Sequence, residues 1–160
     1  MLKIRPFEWK DAEDIHHIHK NREMASLIGD EPAKNLEGTI HVLSDMVNNN
    51  AILLVAELDE KIVGFFNINI KKGTQAHCGS IGVVIDKKFW GGGMGKKIVK
   101  EGIKLGKKRK LKKLTYHTVE YNKRSINLAK ELGFRLAGRL KKQIFIDKKY
   151  YDLLIFEKFL

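Results

Sequence analysis

The segment that most narrows what this chain can fold into is Ile81-Gly82-Val83-Val84-Ile85 followed, after a short link, by Trp90-Gly91-Gly92-Gly93-Met94-Gly95. The first part closes a stretch from Ala76 to Asp86 and is apolar on both faces, as in a buried central strand. The second opens a helix, because Met94, Ile98 and Gly102 share one stripe with Val99 and Ile103 beside it. Glycines between strand and helix let the backbone approach a ligand closely and aim several N–H groups at it, so an anionic group is the natural occupant. A glycine turn without a ligand is the plain alternative. Two familiar phosphate loops do not fit. A Walker loop would need Gly where Trp90 stands and Ser or Thr where Lys97 stands. A dinucleotide fingerprint starting at Gly91 or Gly93 would need Gly or Ala at Lys96 or Ile98.

Charge points the same way. The 160 residues carry 31 Lys+Arg against 19 Asp+Glu, a net +12, which favours anionic partners: nucleic acid, phosphorylated cofactors or a membrane surface. With 43% hydrophobic and 31% charged residues the composition is globular, and the length suits one domain over residues 1–160. Cys78 is the single cysteine, so no intrachain disulfide or cysteine-based zinc site forms, and a cytoplasmic setting is the simplest expectation. The opening Met1-Leu2-Lys3-Ile4-Arg5 lacks the apolar stretch of a signal peptide, and no stretch is long enough to span a membrane.

Along the chain, Leu2 to Phe7 reads as a first strand with Pro6 suited to an edge. Asp11, with Asp14 three residues on, is expected to cap a helix carrying Ala12, Ile15 and Ile18. Met24 to Pro32 reads as irregular, broken by Gly29 and Pro32. A helix is expected from Lys34 to Val47, ended by Asn48-Asn49-Asn50. Ala51 to Leu58 and Lys61 to Ile70 form a hairpin joined at Asp59-Glu60. After the glycine loop, its helix ends in Lys107-Lys108-Arg109-Lys110. Leu114 to Tyr121 is a strand, and Ser125, Leu128, Ala129 and Leu132 mark the inner face of a helix. Gly133 stands where a left-handed cap belongs, with Phe134 folding back. Strands at Gln143 to Asp147 and Tyr150 to Phe159 flank a turn at Asp147-Lys148-Lys149.

The glycine segment resembles the coenzyme A loop of the Gcn5-related N-acetyltransferase (GNAT) superfamily, commonly Gln/Arg-x-x-Gly-x-Gly/Ala after a central strand. Trp90 replaces the Gln or Arg, as in branches with a Tyr-Trp-Gly-Lys-Gly loop. A second motif follows: Asn122, Ser125, Leu128, Gly133 and Phe134 match Asn-x-x-Ala/Ser-x-x-Leu-Tyr-x-x-x-Gly-Phe in order and spacing. The opening Lys3-Ile4-Arg5-Pro6 and closing Tyr150-Tyr151-Asp152 are similar to the branch that acetylates amino acids or protein N-termini. The resemblance implies a mixed α/β (α+β) fold. It has a central, mostly antiparallel twisted sheet of six to seven strands flanked by about four helices. It also implies acetyl-CoA as co-substrate and an amine acceptor, and leaves room for a homodimer. Backbone groups of Val83, Val84 and Ile85 would pair with the pantetheine arm, Gly91, Gly92, Gly93, Met94, Gly95 and Lys96 would receive the pyrophosphate, and Asn122 and Ser125 would lie beside the arm, although an Asn at a strand end is more often a helix cap and the two roles can coexist.

Acetyl transfer needs a neutral amine, a stabilised oxyanion and a fate for the thiolate. His117 stands where related enzymes carry a basic Glu, and Glu120 is the nearest carboxylate. His77 and Ser80 resemble positions near the acceptor pocket in the amino-acid-acetylating branch, which implies a place in the substrate pocket for both. The family's Tyr is replaced by Ala129, so a proton donor must come from elsewhere, with Tyr116, Tyr121, Tyr150 and Tyr151 as candidates. His16, His17 and His19 match no metal-site spacing, so no metal is expected. The basic run from Lys104 to Lys113 lacks interleaved aromatics and suits a solvated helix end, although a nucleic-acid-binding module without acetyl transfer is the rival reading.

Overall fold

The computed structural model describes residues 1–160. The chain runs β1 (Leu2–Pro6), α1 (Ala12–His19), α2 (Arg22–Ile28), α3 (Leu36–Asn48), β2 (Ile52–Leu58), β3 (Lys61–Ile70), β4 (Cys78–Ile85), α4 (Met94–Lys108), β5 (Lys113–Val119), α5 (Lys123–Glu131), β6 (Arg135–Ile146) and β7 (Lys149–Phe159). The strands make one seven-stranded sheet in the order β1-β2-β3-β4-β5-β7-β6. Every neighbouring pair is antiparallel except β4 with β5. The β2–β3 and β6–β7 hairpins each turn on two residues, Asp59-Glu60 and Asp147-Lys148, all with positive φ. That is the primed geometry that matches strand twist, and an aspartate tolerates its first position.

Successive residues of β3 feed opposite faces of the sheet. Phe66 and Ile68 pack with Ile98, Val99 and Ile103 of α4 in the main core, which continues through Leu114 and Phe156. Phe65 packs instead with Ala12 and Ile15 of α1 and Leu43 of α3. Gly102 permits α4 to lie this close, since a Cβ there would overlap the Phe66 ring. α5 ends as the sequence indicates: Gly133 has φ +80°, and Phe134 N–H donates to the Ala129 carbonyl at 2.9 Å.

Three expectations need correction. Residues Met24 to Pro32 are not all irregular, because α2 occupies Arg22–Ile28, capped by Asn21 Oδ1 on Met24 N–H and closed by Gly29 at φ +75°. Two buried residues, Met24 and Ala25, are too few to reveal a period. With α2 the helices number five, in keeping with the expectation of about four. The sixth strand starts at Arg135, not near Gln143, because its first half is almost wholly exposed and lacks hydrophobic alternation. Asp11 makes no side-chain cap to α1. Its carboxylate instead accepts from the Glu8 N–H and from both terminal nitrogens of Arg5, each at 2.8 Å.

Candidate active site

The parallel strands β4 and β5 are in register only from Cys78↔Lys113 to Ile81↔Tyr116. Beyond that pair they part, while β4 stays paired to β3 as far as Ile85 and β5 stays paired to β7 as far as Val119. One edge of Gly82 to Ile85 is thus left without a ladder partner, which is costly unless something hydrogen-bonds there. Two cavities meet at the split, sharing Ile28, Val83, Val84 and Tyr116 in their walls.

The first cavity, about 370 Å³, is lined by Val83, Val84, Ile85, Gly91, Gly93, Met94, Gly95, Lys96, Asn122 and Ser125. All but one of the residues expected to hold the cofactor are therefore brought together; Gly92 lies between two of them. Gly91 and Gly93 have φ +87° and +72°, and a Cβ on either would meet nothing within 4 Å. Gly93 caps α4 with no side-chain partner, and the N–H groups from Gly91 to Lys96 donate to no acceptor within the chain. The result is a bare helix N-terminus with its positive dipole end facing an open cavity, an arrangement suited to phosphate. Lys96 reaches Glu131 at 3.1 Å beside this opening.

Sequence reasoning missed three supports of this cavity. The Trp90 indole N–H donates to the Ile85 carbonyl at 2.8 Å, and the Arg124 guanidinium lies over the Trp90 ring at 4.7 Å. The third is α2, tied down by Tyr121, whose hydroxyl donates to the Ser26 carbonyl, and by Asn122, whose Nδ2 donates to the Leu27 carbonyl. Asn122 Oδ1 also accepts the Ser125 N–H at 3.2 Å, so this residue is a helix cap, with one amide N–H left.

The second cavity, about 400 Å³, lies between the sheet and the α1–α3 side and takes in Ser80 and His117. Burial lowers the His117 pKa below 6.5, and the nearby Lys71 charge lowers it further, so the imidazole is neutral at pH 7. His77 and Glu120 line neither cavity. Glu120 accepts from the Asp152 N–H at 2.8 Å and from Arg139 at 3.3 Å, whereas the His77 carbonyl holds the Lys112 N–H at 2.8 Å. Of the four tyrosines only Tyr116 lines either of these two cavities, and it lines both. Its hydroxyl is hydrogen-bonded to the Ser125 hydroxyl, and burial raises its pKa, which keeps the proton on the phenol.

The same cavity contains residues the sequence reading passed over: His19, Asp30, Thr39, Asn67 and Asn69. Asn67 and Asn69 had a visible signal, since polar side chains two apart interrupt the apolar strand Phe65-Phe66-Asn67-Ile68-Asn69. His16 and His19 do not share a ligand. His16 Nδ1 meets Thr39 Oγ1 and His19 Nδ1 meets the Ile15 carbonyl, each at 2.9 Å, and no group of three or more metal-ligating side chains assembles. No helix is long and apolar enough to cross a membrane.

A sheet parted between two parallel strands, with a bare glycine-flanked helix end at its foot, suits an anionic ligand with an extended arm, and the comparisons give its class. Residues 1–135 match the acetyltransferase (GNAT) domain family, and the chain belongs to that family. It is 21% identical over 155 residues to the spermidine N(1)-acetyltransferase of Vibrio cholerae, covering 95% of this chain and 89% of that protein. The ribosomal-protein-alanine N-acetyltransferase of Brucella melitensis superposes with a TM-score of 0.91 at 25% identity over 99% of both chains. The phosphinothricin acetyltransferase of Sinorhizobium meliloti, solved in complex with acetyl-CoA, superposes with a TM-score of 0.91 at 18% identity, covering 99% of this chain and 88% of that one. The protein is a GNAT acetyltransferase, and the residues beyond 135 complete its sheet, with β7 lying between β5 and β6.

Proposed function

We propose that residues 1–160 work as one domain that transfers acetyl from acetyl-CoA to a primary amine in a ternary complex, in a reducing, cytoplasmic setting. The observation that carries the proposal is the bare N-terminus of α4, whose free N–H groups face a cavity bordered by the unpaired edge of β4. Pyrophosphate takes the N–H groups of Gly91 to Lys96, with glycine keeping side chains out of the way. The pantetheine arm pairs with Val83, Val84 and Ile85 like an added strand, and the remaining N–H of Asn122 lies beside it. This places the thioester near Tyr116, where the two cavities join.

The amine enters from the second cavity and attacks the thioester carbonyl carbon. Neutral His117 takes the proton released by the nitrogen, directly or through one water. The carbon–sulfur bond then breaks and the thiolate receives a proton from the Tyr116 hydroxyl, whose oxygen Ser125 holds by a hydrogen bond; the phenolate then regains a proton from solvent in the open cavity, and His117 returns the amine's proton to solvent. Glu120, engaged by Arg139 and the Asp152 N–H, is left as a positioning residue for the β5 end, and Ser80 is left as an acceptor contact. His77 takes no part in this reading.

Calorimetric titration with acetyl-CoA, followed by an amine panel read through released CoA thiol, tests the proposal. Binding and amine-dependent thiol release are expected. No heat and no thermal stabilisation at millimolar acetyl-CoA would overturn it. The rival nucleic-acid module rests on charge alone, and neither the parted strands nor the glycine loop serves it.

A further inference from the structure

The outer face of α4 takes no part in acetyl transfer, yet it holds most of the molecule's excess charge. Between Met94 and Lys113 the chain carries ten Lys and Arg and one carboxylate, Glu101, within a total of net +12. In sequence the run suits a charged helix end, but in the fold it occupies a full side of the helix. Lys97, Lys100, Lys104, Lys107 and Lys108 recur at helical spacing and are all exposed, while Ile98, Val99, Gly102, Ile103 and Gly106 bury the opposite side. Arg109, Lys110 and Lys112 extend the row, and Arg109 Nη1 fixes the helix end by donating to the Asn50 carbonyl at 2.6 Å. In this segment only Lys96, Lys104 and Lys113 reach a carboxylate, on Glu131, Glu101 and Glu157 at 3.1, 3.9 and 2.8 Å. Like charges three and four apart on a helix repel, so the row is a cost to the fold that a polyanion would remove.

The chemistry of the face selects among polyanions. A membrane surface binds a helix that also inserts apolar side chains, and no large apolar side chain of α4 is exposed. Single-stranded nucleic acid stacks its bases on aromatics, but none stands between Trp90 and Tyr116. Phe159, beside the segment, is already covered by Lys113 and Arg135. The phosphates of a duplex need only cations. Because its inner side is packed on the sheet, α4 is a low ridge, too shallow to fill the B-form major groove, which is about 8.5 Å deep. The minor groove of A-form RNA is wide and shallow and is bound through its phosphates and hydroxyls. Lys97 to Lys108 span about 16 Å of helix, a ridge that can lie across it.

We propose that the outer face of α4 docks double-stranded RNA through its phosphates, without reading sequence, while the cofactor loop at the start of the same helix stays free. The assignment does not rest on the acetyl-transfer reading; it adds an RNA contact to the enzyme. The test follows binding of a fluorescein-labelled RNA duplex by anisotropy over a salt series. It compares the full-length protein with a variant combining Lys100→Gln, Lys104→Gln, Lys107→Gln and Lys108→Gln. A control combines Lys3→Gln, Lys20→Gln, Lys61→Gln and Lys149→Gln at exposed positions elsewhere. RNA affinity should fall steeply with salt. The α4 variant should bind about tenfold or more weaker, and its slope of log K against log salt should drop by about one per lysine removed. The control should keep its slope and lose no more than about twofold, its charges being screened from the face. The acetyl-CoA Kd should stay within about twofold in both variants, since neither alters Gly91 to Lys96. No RNA binding, an equal loss in the two variants, or affinity as high for a DNA duplex, phosphatidylserine vesicles or polyglutamate would overturn the proposal. So would a rise in the acetyl-CoA Kd of the α4 variant alone, which would place these lysines at the cofactor.

Discussion

The Trp90 indole N–H is bonded to the Ile85 carbonyl at 2.8 Å, tying the residue before the glycine run to the last residue of β4. Through this bond the end of the strand and the start of the phosphate loop hold one geometry, and the indole face in turn receives the Arg124 guanidinium from α5. Trp90→Phe keeps the aromatic face and removes only the donor. The acetyl-CoA Kd should rise about two- to tenfold, matching a net hydrogen bond of about 0.5–1.5 kcal/mol. Unchanged affinity by calorimetry would show that the loop holds its shape without the indole.

Gly93 offers a sharper test of the loop. Its φ is +72° and nothing lies within 4 Å of a Cβ built there, so a side chain is opposed by backbone conformation and by the ligand's space, not by packing. Gly93→Val should cost about 1–2 kcal/mol of stability from the left-handed backbone and raise the acetyl-CoA Kd by more than tenfold. Gly93→Asn, which tolerates that conformation, should recover the stability and not the affinity. Thermal melts and calorimetry separate the two effects.

Tyr116 is the hydroxyl at the junction of the cavities, and its proton is retained because burial raises the phenol pKa. A CoA thiol with a pKa near 8.5 leaves tolerably without help, so the loss in Tyr116→Phe should be modest. We expect kcat to fall about tenfold with the acetyl-CoA Kd unchanged. An unchanged kcat would remove Tyr116 from the proton path.

Much of this site was written in local sequence. The glycine loop, the Asn122 cap and the Gly133 turn depend on backbone conformations that few residues adopt, so short spacings reveal them. The parting of β4 and β5 leaves no such mark, since Val83, Val84 and Ile85 read as ordinary buried strand. The roof α2 was hidden for a different reason. Its place is fixed by bonds from Tyr121 and Asn122 to Ser26 and Leu27, each spanning 95 residues. The tyrosines likewise could be sorted only by tertiary position.

The pairing of Arg5 with Asp11 governs stability on the far side of the sheet. Asp11 is 3% exposed and Arg5 11%, and their two hydrogen bonds are joined by one from Arg5 Nε to Glu57 at 2.6 Å. Burial pushes the Asp11 carboxyl up, but the Arg5 hydrogen bonds, the Glu8 N–H and the charges of Arg5 and Lys10 together hold it below its usual pKa. Asp11→Ala strands a buried guanidinium and should destabilise the fold by about 3–5 kcal/mol in chemical denaturation. Because the folded pKa is lowered, this contribution is present above the unfolded value near 3.9 and is lost as pH falls through the folded one. A loss well under 1 kcal/mol would mean that Glu57 alone suffices for Arg5.

As the proposed base, His117 is expected to set the pH dependence of turnover. Burial, and then the Lys71 charge, place its pKa below 6.5, so it is an available base across neutral pH and loses that role only under acid conditions. With acetyl-CoA saturating, kcat should show an acid limb of unit slope from the His117 imidazolium with a pKa under 6.5. Protonation of the amine acts on that same side, and the alkaline side is limited by ionisation of the Tyr116 phenol, whose pKa is raised. His117→Ala should abolish that acid limb and lower kcat by about 10²–10⁴-fold, the usual worth of a general base. Lys71 supplies an independent check. Removing its charge in Lys71→Ala relieves the repulsion felt by the imidazolium, so the acid limb should move to higher pH while the protein still binds acetyl-CoA. A profile that ignores both substitutions would assign the proton to another group, and the imidazole would then be only a wall of the acceptor cavity.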